Sequence, residues 1–143
     1  MNIGITRIDS TLPLPEYHTK GAVAVDLVAR ESTTIEPRTI GFIPNNIILK
    51  IPEGYMFMIA ARSSTAHKRG LFIANGVGII DQDYCGPQDE IKTAVYNFTE
   101  TPVTIERGER VSQGIFIPIT KVNFTEEDLT HHTSRGGFGS TGI

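Results

Sequence analysis

The sequence predicts an all-β domain. Short runs rich in β-branched residues recur at close spacing, turn residues separate nearly all of them, and no long stretch carries a 3.6-residue apolar period. About ten such runs in one chain fit a sandwich or barrel of short strands.

The elements follow in order. Ile3–Ile8 opens the chain and ends before Pro13 and Pro15, which cannot donate to a ladder. Ala22–Ala29 is apolar apart from Asp26. Thr33–Ile35 stops at Glu36-Pro37, and Thr39–Ile43 at Pro44-Asn45-Asn46, both strong turn signals. Ile47–Ile51 ends at Pro52-Glu53-Gly54, and Tyr55–Ala60 leads into the helix candidate, Ser63–Lys68. Ser63 or Ser64 is placed to cap a turn or two of helix before Gly70 stops it. Gly76–Ile80 and Glu90–Asn97 lie either side of Gly86-Pro87, and Val103–Ile105 and Val111–Ile119 either side of Arg107-Gly108. The sequence carries no internal repeat.

Composition sets the outer limits of function. The 143 residues suffice for one domain with a real core. A net charge of −3 offers no basic footprint for duplex nucleic acid, although a few local cations suffice for a nucleotide. One cysteine, Cys85, excludes an intramolecular disulfide and argues against a Cys-based zinc site. The N-terminus lacks a charged-then-apolar leader and no window approaches 18 apolar residues, so a soluble, cytoplasmic or otherwise intracellular protein without membrane partners is expected.

Several segments carry chemistry beyond strand formation. In Ala61-Arg62-Ser63-Ser64-Thr65-Ala66-His67-Lys68-Arg69-Gly70, hydroxyls, backbone N–H groups and a cation converge at a helix start. That suits a polyphosphate, and equally an N-cap followed by a solvated basic face. In Asn75–Gly86, two apolar runs flank an acidic turn, which reads as a β-hairpin. Regular alternation would set Asp81 and Asp83 on one face and Tyr84 on the other. A carboxylate at a strand end can serve as a general base toward water and a tyrosine as a pocket wall; plain turn chemistry explains the same residues.

The turn Arg107-Gly108-Glu109-Arg110 leads to Gln113, a phosphate donor or a residue of an ordinary hairpin. Asp26 is either a solvent-facing edge residue or a site residue, since burying it unpaired is costly. The last ten residues, Ser134–Ile143, are rich in glycine and hydroxyls with Arg135 and Phe138 among them: a frayed terminus, or a segment able to close over a base and phosphates.

The joint order of these segments decides. Asp26 in an apolar strand, Arg62-Ser63-Ser64-x-Ala66-x-Lys68-x-Gly70, Gly78-Ile79-Ile80-Asp81-x-Asp83-Tyr84, Gly108-Glu109-Arg110-Val111-x-Gln113 and Gly136-Gly137-Phe138-Gly139-Ser140-Thr141-Gly142 resemble the five ordered motifs of the trimeric dUTP diphosphatases. The resemblance spans residues 21–142. It implies a distorted jelly-roll, β-barrel-like protomer over residues 1–133, with residues 134–143 as a flexible lid. It also implies a homotrimer with sites at subunit interfaces, and hydrolysis of dUTP to dUMP and diphosphate with Mg²⁺, which limits uracil in DNA and supplies dUMP for dTMP synthesis.

By that resemblance Asp81 activates the attacking water and Tyr84 packs under the deoxyribose. Asn75, with Gly78 and Ile80 of the hairpin backbone, reads the uracil. Arg62, Ser63, Ser64 and Gln113 contact phosphates, and Asp26 holds a water bound to Mg²⁺. In the lid, Arg135, Ser140 and Thr141 hold phosphates, Phe138 stacks on the base, and Gly139 joins them in binding substrate. The chain departs from the family at Ala24-Val25-Asp26, where Gly-Tyr-Asp is usual, at Cys85, and at Pro87-Gln88-Asp89, which looks inserted. Arg135 lies nearer the paired glycines than the family arginine, whose usual position holds Thr133. Two rivals are a dCTP deaminase or bifunctional relative, which lacks such a tail, and a non-catalytic trimeric nucleotide sensor, which need not keep a base.

Overall fold

The computed structural model describes residues 1–137. Among them the strands are β1 (Gly4–Arg7), β2 (Val25–Val28), β3 (Thr33–Ile35), β4 (Ile40–Pro44), β5 (Ile47–Lys50), β6 (Tyr55–Ala61), β7 (Leu71–Ile73), β8 (Gly78–Ile80), β9 (Lys92–Asn97), β10 (Val103–Ile105) and β11 (Arg110–Pro118), with one helix, α1 (Thr65–Arg69), between β6 and β7. The all-β expectation holds.

Every ladder is antiparallel. The main sheet runs β2-β11-β6-β8 and a second runs β4-β9-β7; two strand pairs, β1-β5 and β10-β3, complete the framework, and none of these sheets closes into a barrel among the described residues. No described helix is long and apolar enough to cross a membrane.

Alternation along the strands builds two cores. Val25 and Leu27 of β2 and Phe57 and Ile59 of β6 turn inward to meet Ile47, Leu49 and Ile91. Ile43, Leu71, Val95, Ile105 and Val111 form the second cluster. Because strand side chains alternate, the inward set Val25 and Leu27 puts Asp26 on the opposite face of the same strand. At Gly114 the main sheet has no room for a side chain: a Cβ there would lie 1.9 Å from Cζ of the fully buried Phe57.

Four sequence expectations are corrected. Strand β7 was not expected, because only three residues follow Gly70 before the next turn; Leu71 and Ile73 still anchor it in the second core. The helix begins at Thr65, not Ser63. Ser64 occupies the N-cap without a side-chain capping bond, while Thr65 Oγ1 accepts the Arg62 N–H at 3.1 Å. Gly70, in the left-handed region at φ 66°, ends it as expected.

The acidic turn does not close a hairpin. β8 pairs with β6 and β9 sits between β4 and β7. Ile80 packs against the first core and Val95 sits in the second, so the segment between them crosses from one sheet to the other. Likewise the Arg107-Gly108 turn joins β10, paired to β3, to β11, paired to β2 and β6. It is held to the end of β2 by Gly108 N–H to Ala29 O and Ala29 N–H to Glu109 O, both 2.8 Å.

Candidate functional site

Two separate groups of candidate residues emerge. The first gathers where β2, β11 and the end of β6 lie side by side. Gln113 faces Asp26 on one side and Ala60 on the other. Arg62, one residue beyond β6, donates from Nε to Asp26 Oδ1 at 2.9 Å and from Nη1 to Arg110 O at 3.3 Å. Arg110 Nη1 reaches Asp26 Oδ2 at 3.2 Å, and His18 Nε2 lies 3.3 Å from the same oxygen. The Asp26 side chain is 15% exposed. β2 is an edge strand of the main sheet, but its acid is largely covered and paired and not solvent-facing.

Beside this cluster a groove of about 240 Å³ is lined by Arg62, Ser64, Lys68, Arg69, Glu109 and Arg110 among others. Cations outnumber carboxylates there even with Arg69 paired to Glu109. A groove with that excess attracts phosphate, and guanidinium forks bind its oxygens in pairs. Ser63 is exposed and does not line the groove; its carbonyl faces His67 Nδ1 at 3.2 Å. Gln113 Nε2 donates to Ala61 O at 2.8 Å, which leaves its second N–H for another acceptor.

The second group surrounds a cavity of about 330 Å³ at the β8 edge, lined by Asn75, Gly78, Ile80, Asp81 and Tyr84 and closed by Phe42, Lys92 and Thr93. Asp81 and Tyr84 share this cavity, contrary to the expected opposition. The strand ends at Ile80, and the bonds from Tyr84 N–H to Asp81 O (3.3 Å) and from Cys85 N–H to Asp83 O (3.0 Å) wind the chain into turns that break the two-residue alternation. The Tyr84 hydroxyl donates to Glu90 O at 3.3 Å. Gly76, at φ 76°, makes the turn that presents Asn75 to the cavity mouth.

No residue lines both groups. Asp26 pairs through Gln113 to Ala60, and Ile80 pairs with Phe57. That is three strand spacings and three residues, on the order of 17 Å at about 4.8 Å and 3.3 Å each. A single chain thus keeps the two groups apart. Arg135 belongs to neither: Thr120–Gly137 is exposed throughout. Phe138, Gly139, Ser140 and Thr141 lie outside the described residues. His131 and His132 are exposed, His131 lying 3.6 Å from Asp128.

Sequence reasoning missed Arg110, Glu109 and Arg69 around the groove, Phe42 and Lys92 around the cavity, and Glu90, whose carbonyl accepts the Tyr84 hydroxyl. The charged turn gave a signal for Arg110 and Glu109, which flank the start of β11. Phe42 and Lys92 come from strands of the other sheet, and no local pattern ties them to Asp81.

Among the described residues, no group of three or more His, Cys, Asp or Glu is placed to hold a metal ion. Asp26, shared by two guanidiniums, offers at most an acceptor for a metal-bound water. This donor set fits Mg²⁺ carried in on phosphate oxygens with its own waters, not an ion caged by protein.

The family model described as dUTPase matches residues 10–142. A deoxyuridine 5'-triphosphate nucleotidohydrolase of Desulfitobacterium hafniense is 41% identical over all of this chain and 96% of its own length. One from Corynebacterium diphtheriae is 40% identical, covering 99% of this chain and 93% of its own. Among solved structures, a dUTPase from Streptococcus mutans superposes with a TM-score of 0.78 at 32% identity, over 85% of this chain and 99% of its own. A Staphylococcus bacteriophage 80alpha dUTPase carrying dUPNHPP, at 23% identity, shares the fold with a TM-score of 0.87 over 99% of both chains. By a family match across nearly its whole length and relatives this close, the chain belongs to the dUTPase family.

Proposed function

We propose that this protein hydrolyses dUTP to dUMP and diphosphate, with an activated water attacking the α-phosphate. Family membership supports the substrate. The observation that carries the reading is the cavity in which Asp81 and Tyr84 meet beside Asn75, Gly78 and Ile80. Asp81 accepts the proton of the attacking water, for which a carboxylate within hydrogen-bond reach is required. Tyr84 packs under the deoxyribose and leaves no room for a 2′-hydroxyl. Asn75 and the backbone of Gly78 and Ile80 read the uracil edge.

Arg62, Ser63, Ser64 and Gln113 hold the phosphates. Asp26 would hold Mg²⁺ through a water, and the ion would supply neutralisation of phosphate charge. The separation of about 17 Å between the two groups supports a homotrimer in which the cavity of one subunit meets the basic groove of another. Residues 134–143 form the lid of a domain spanning 1–133: Arg135, Ser140 and Thr141 hold phosphates, Phe138 stacks on the base, and Gly139 joins them in binding substrate. The enzyme acts as a soluble intracellular protein.

The test is incubation with dUTP and, separately, dCTP in the presence of Mg²⁺. Release of diphosphate and dUMP from dUTP is the expected outcome. Ammonia from dCTP would instead indicate a deaminase, and inertness toward both would indicate a nucleotide sensor.

A further inference from the structure

Arg30 lines neither the cavity nor the basic groove. It follows β2 by two residues, and its guanidinium grips Glu90 twice, Nε to Oε1 at 2.8 Å and Nη2 to Oε2 at 3.2 Å. The same Oε1 accepts the main-chain N–H of Asn46 at 2.9 Å. Glu90 is 8% exposed and the fork is part-buried, while Arg30 Nη1 also reaches the exposed Glu31 at 3.1 Å. The backbone beside it is held as well: Ile91 N–H donates to Ile47 O and Asn45 N–H to Ile91 O, both at 2.9 Å.

The carbonyl fixed in this way is the one that receives the Tyr84 hydroxyl at 3.3 Å. Tyr84 sits in an exposed connection between two sheets, 38% exposed itself, where staggered rotamers compete on nearly equal terms. A hydrogen bond to an immobile acceptor selects one of them. The ring of Tyr84 then stands as a wall of the cavity that also holds Asp81.

From this chain of contacts we infer that Arg30 is a positioning residue: through Glu90 it fixes the carbonyl that orients Tyr84, and so sets the sugar selectivity of a site it does not touch. The inference rests on the reading above, in which Tyr84 packs against the deoxyribose. A lysine at position 30 keeps the charge but loses the planar fork, so the grip on Glu90 loosens without removing the ion pair.

The experiment compares the parent, Arg30→Lys, Tyr84→Phe and the double variant by kcat/KM for dUTP and for UTP, with thermal melting in parallel. Each single change is expected to lower the dUTP-over-UTP ratio roughly three- to tenfold, the scale of one hydrogen bond. The loss should come through improved use of UTP. The double variant should lose no more than Tyr84→Phe alone, because both act through one bond.

An ion pair that served stability only would lower Tm and leave the ratio alone, which overturns the inference. So does an unchanged ratio in Tyr84→Phe, a variant that removes one hydroxyl from a folded protein, and so does full multiplication of the two losses in the double variant. If Arg30→Lys does not fold, Glu90→Gln carries the same expectation. A parent inert toward dUTP overturns the functional reading itself, whereas an active parent with an unchanged ratio in these variants overturns the positioning role alone.

Discussion

Gln113 stands directly opposite Asp26 across the β2–β11 ladder, yet the two side chains turn to different partners. Asp26 binds Arg62 and Arg110 while Gln113 donates to the Ala61 carbonyl. The acid holds two guanidiniums in place beside the groove that is proposed to receive the phosphates. Asp26→Asn keeps the shape and removes the charge. Because Arg110 is half exposed and screened, the loss of stability should be about 1–2 kcal/mol rather than that of a fully buried pair, measured by urea denaturation. The Mg²⁺ concentration for half-maximal turnover should rise; an unchanged Mg²⁺ titration would remove Asp26 from the surroundings of the ion.

Asp81 is the proposed base. It is exposed at the end of β8 and lines the cavity with Tyr84. Asp81→Asn is nearly isosteric, so nucleotide binding by calorimetry should survive while turnover falls by about 10²–10⁴-fold. A variant that hydrolyses dUTP at close to the parent rate would transfer the role to another group.

How much of this was legible in the sequence depends on the range of the signal. Asp26 was readable only as a solvent-facing edge residue or a site residue, because one acid in an apolar strand has few alternatives; the pairing to Arg62 on the face opposite Val25 and Leu27 came from the fold. The left-handed stop at Gly70 was readable from glycine chemistry alone. The partners of β8 and β9 were not. Two apolar runs around a short turn look like a hairpin locally, and only burial of Ile80 and Val95 in different cores sends them to different sheets. Local turns at Tyr84 and Cys85, which strand alternation does not anticipate, bring Asp81 and Tyr84 to one cavity, and a long-range choice lets Arg30 reach Glu90 sixty positions away.

Sugar selection should depend on the bulk of Tyr84. A rigid ring excludes a 2′-hydroxyl by volume, which Tyr84→Ala abolishes. The ratio of kcat/KM for dUTP over UTP should narrow, with UTP gaining. An unchanged ratio in a folded variant would place the discriminating wall elsewhere, with Phe42 the next candidate because it borders the same cavity.

Gly114 tests the packing behind the site. Its missing side chain makes room for the Phe57 ring, two of whose other atoms, Cε1 and Cε2, would lie 2.7 Å from an added Cβ. Overpacking a buried position of this kind costs about 1–3 kcal/mol. Gly114→Ala should therefore lower Tm by several degrees. Phe57→Leu in the same chain should recover part of the loss, and a double-mutant cycle with no coupling would show that the two residues do not share the strain.

The last prediction concerns assembly. A single chain keeps the Asp81 cavity and the Arg62 groove apart, with no lining residue in common. A base must touch the attacking water, and with about 17 Å between Asp26 and Ile80 the proposed homotrimer joins the cavity of one subunit to the groove of another. The stretch Thr120–Gly137, which runs into the proposed lid, is exposed throughout. Each complete site is therefore expected to combine Asp81 of one subunit with the tail of another. Take one protein carrying Asp81→Asn with its tail intact, and a second keeping Asp81 but lacking residues 134–143. Each homotrimer should be nearly inactive. Unfolded together and refolded, the mixed trimers should regain activity, because some sites then join an intact Asp81 to an intact tail. If mass measurement confirms mixed trimers and the mixture stays inactive, the tail closes over its own subunit and the intersubunit arrangement is wrong.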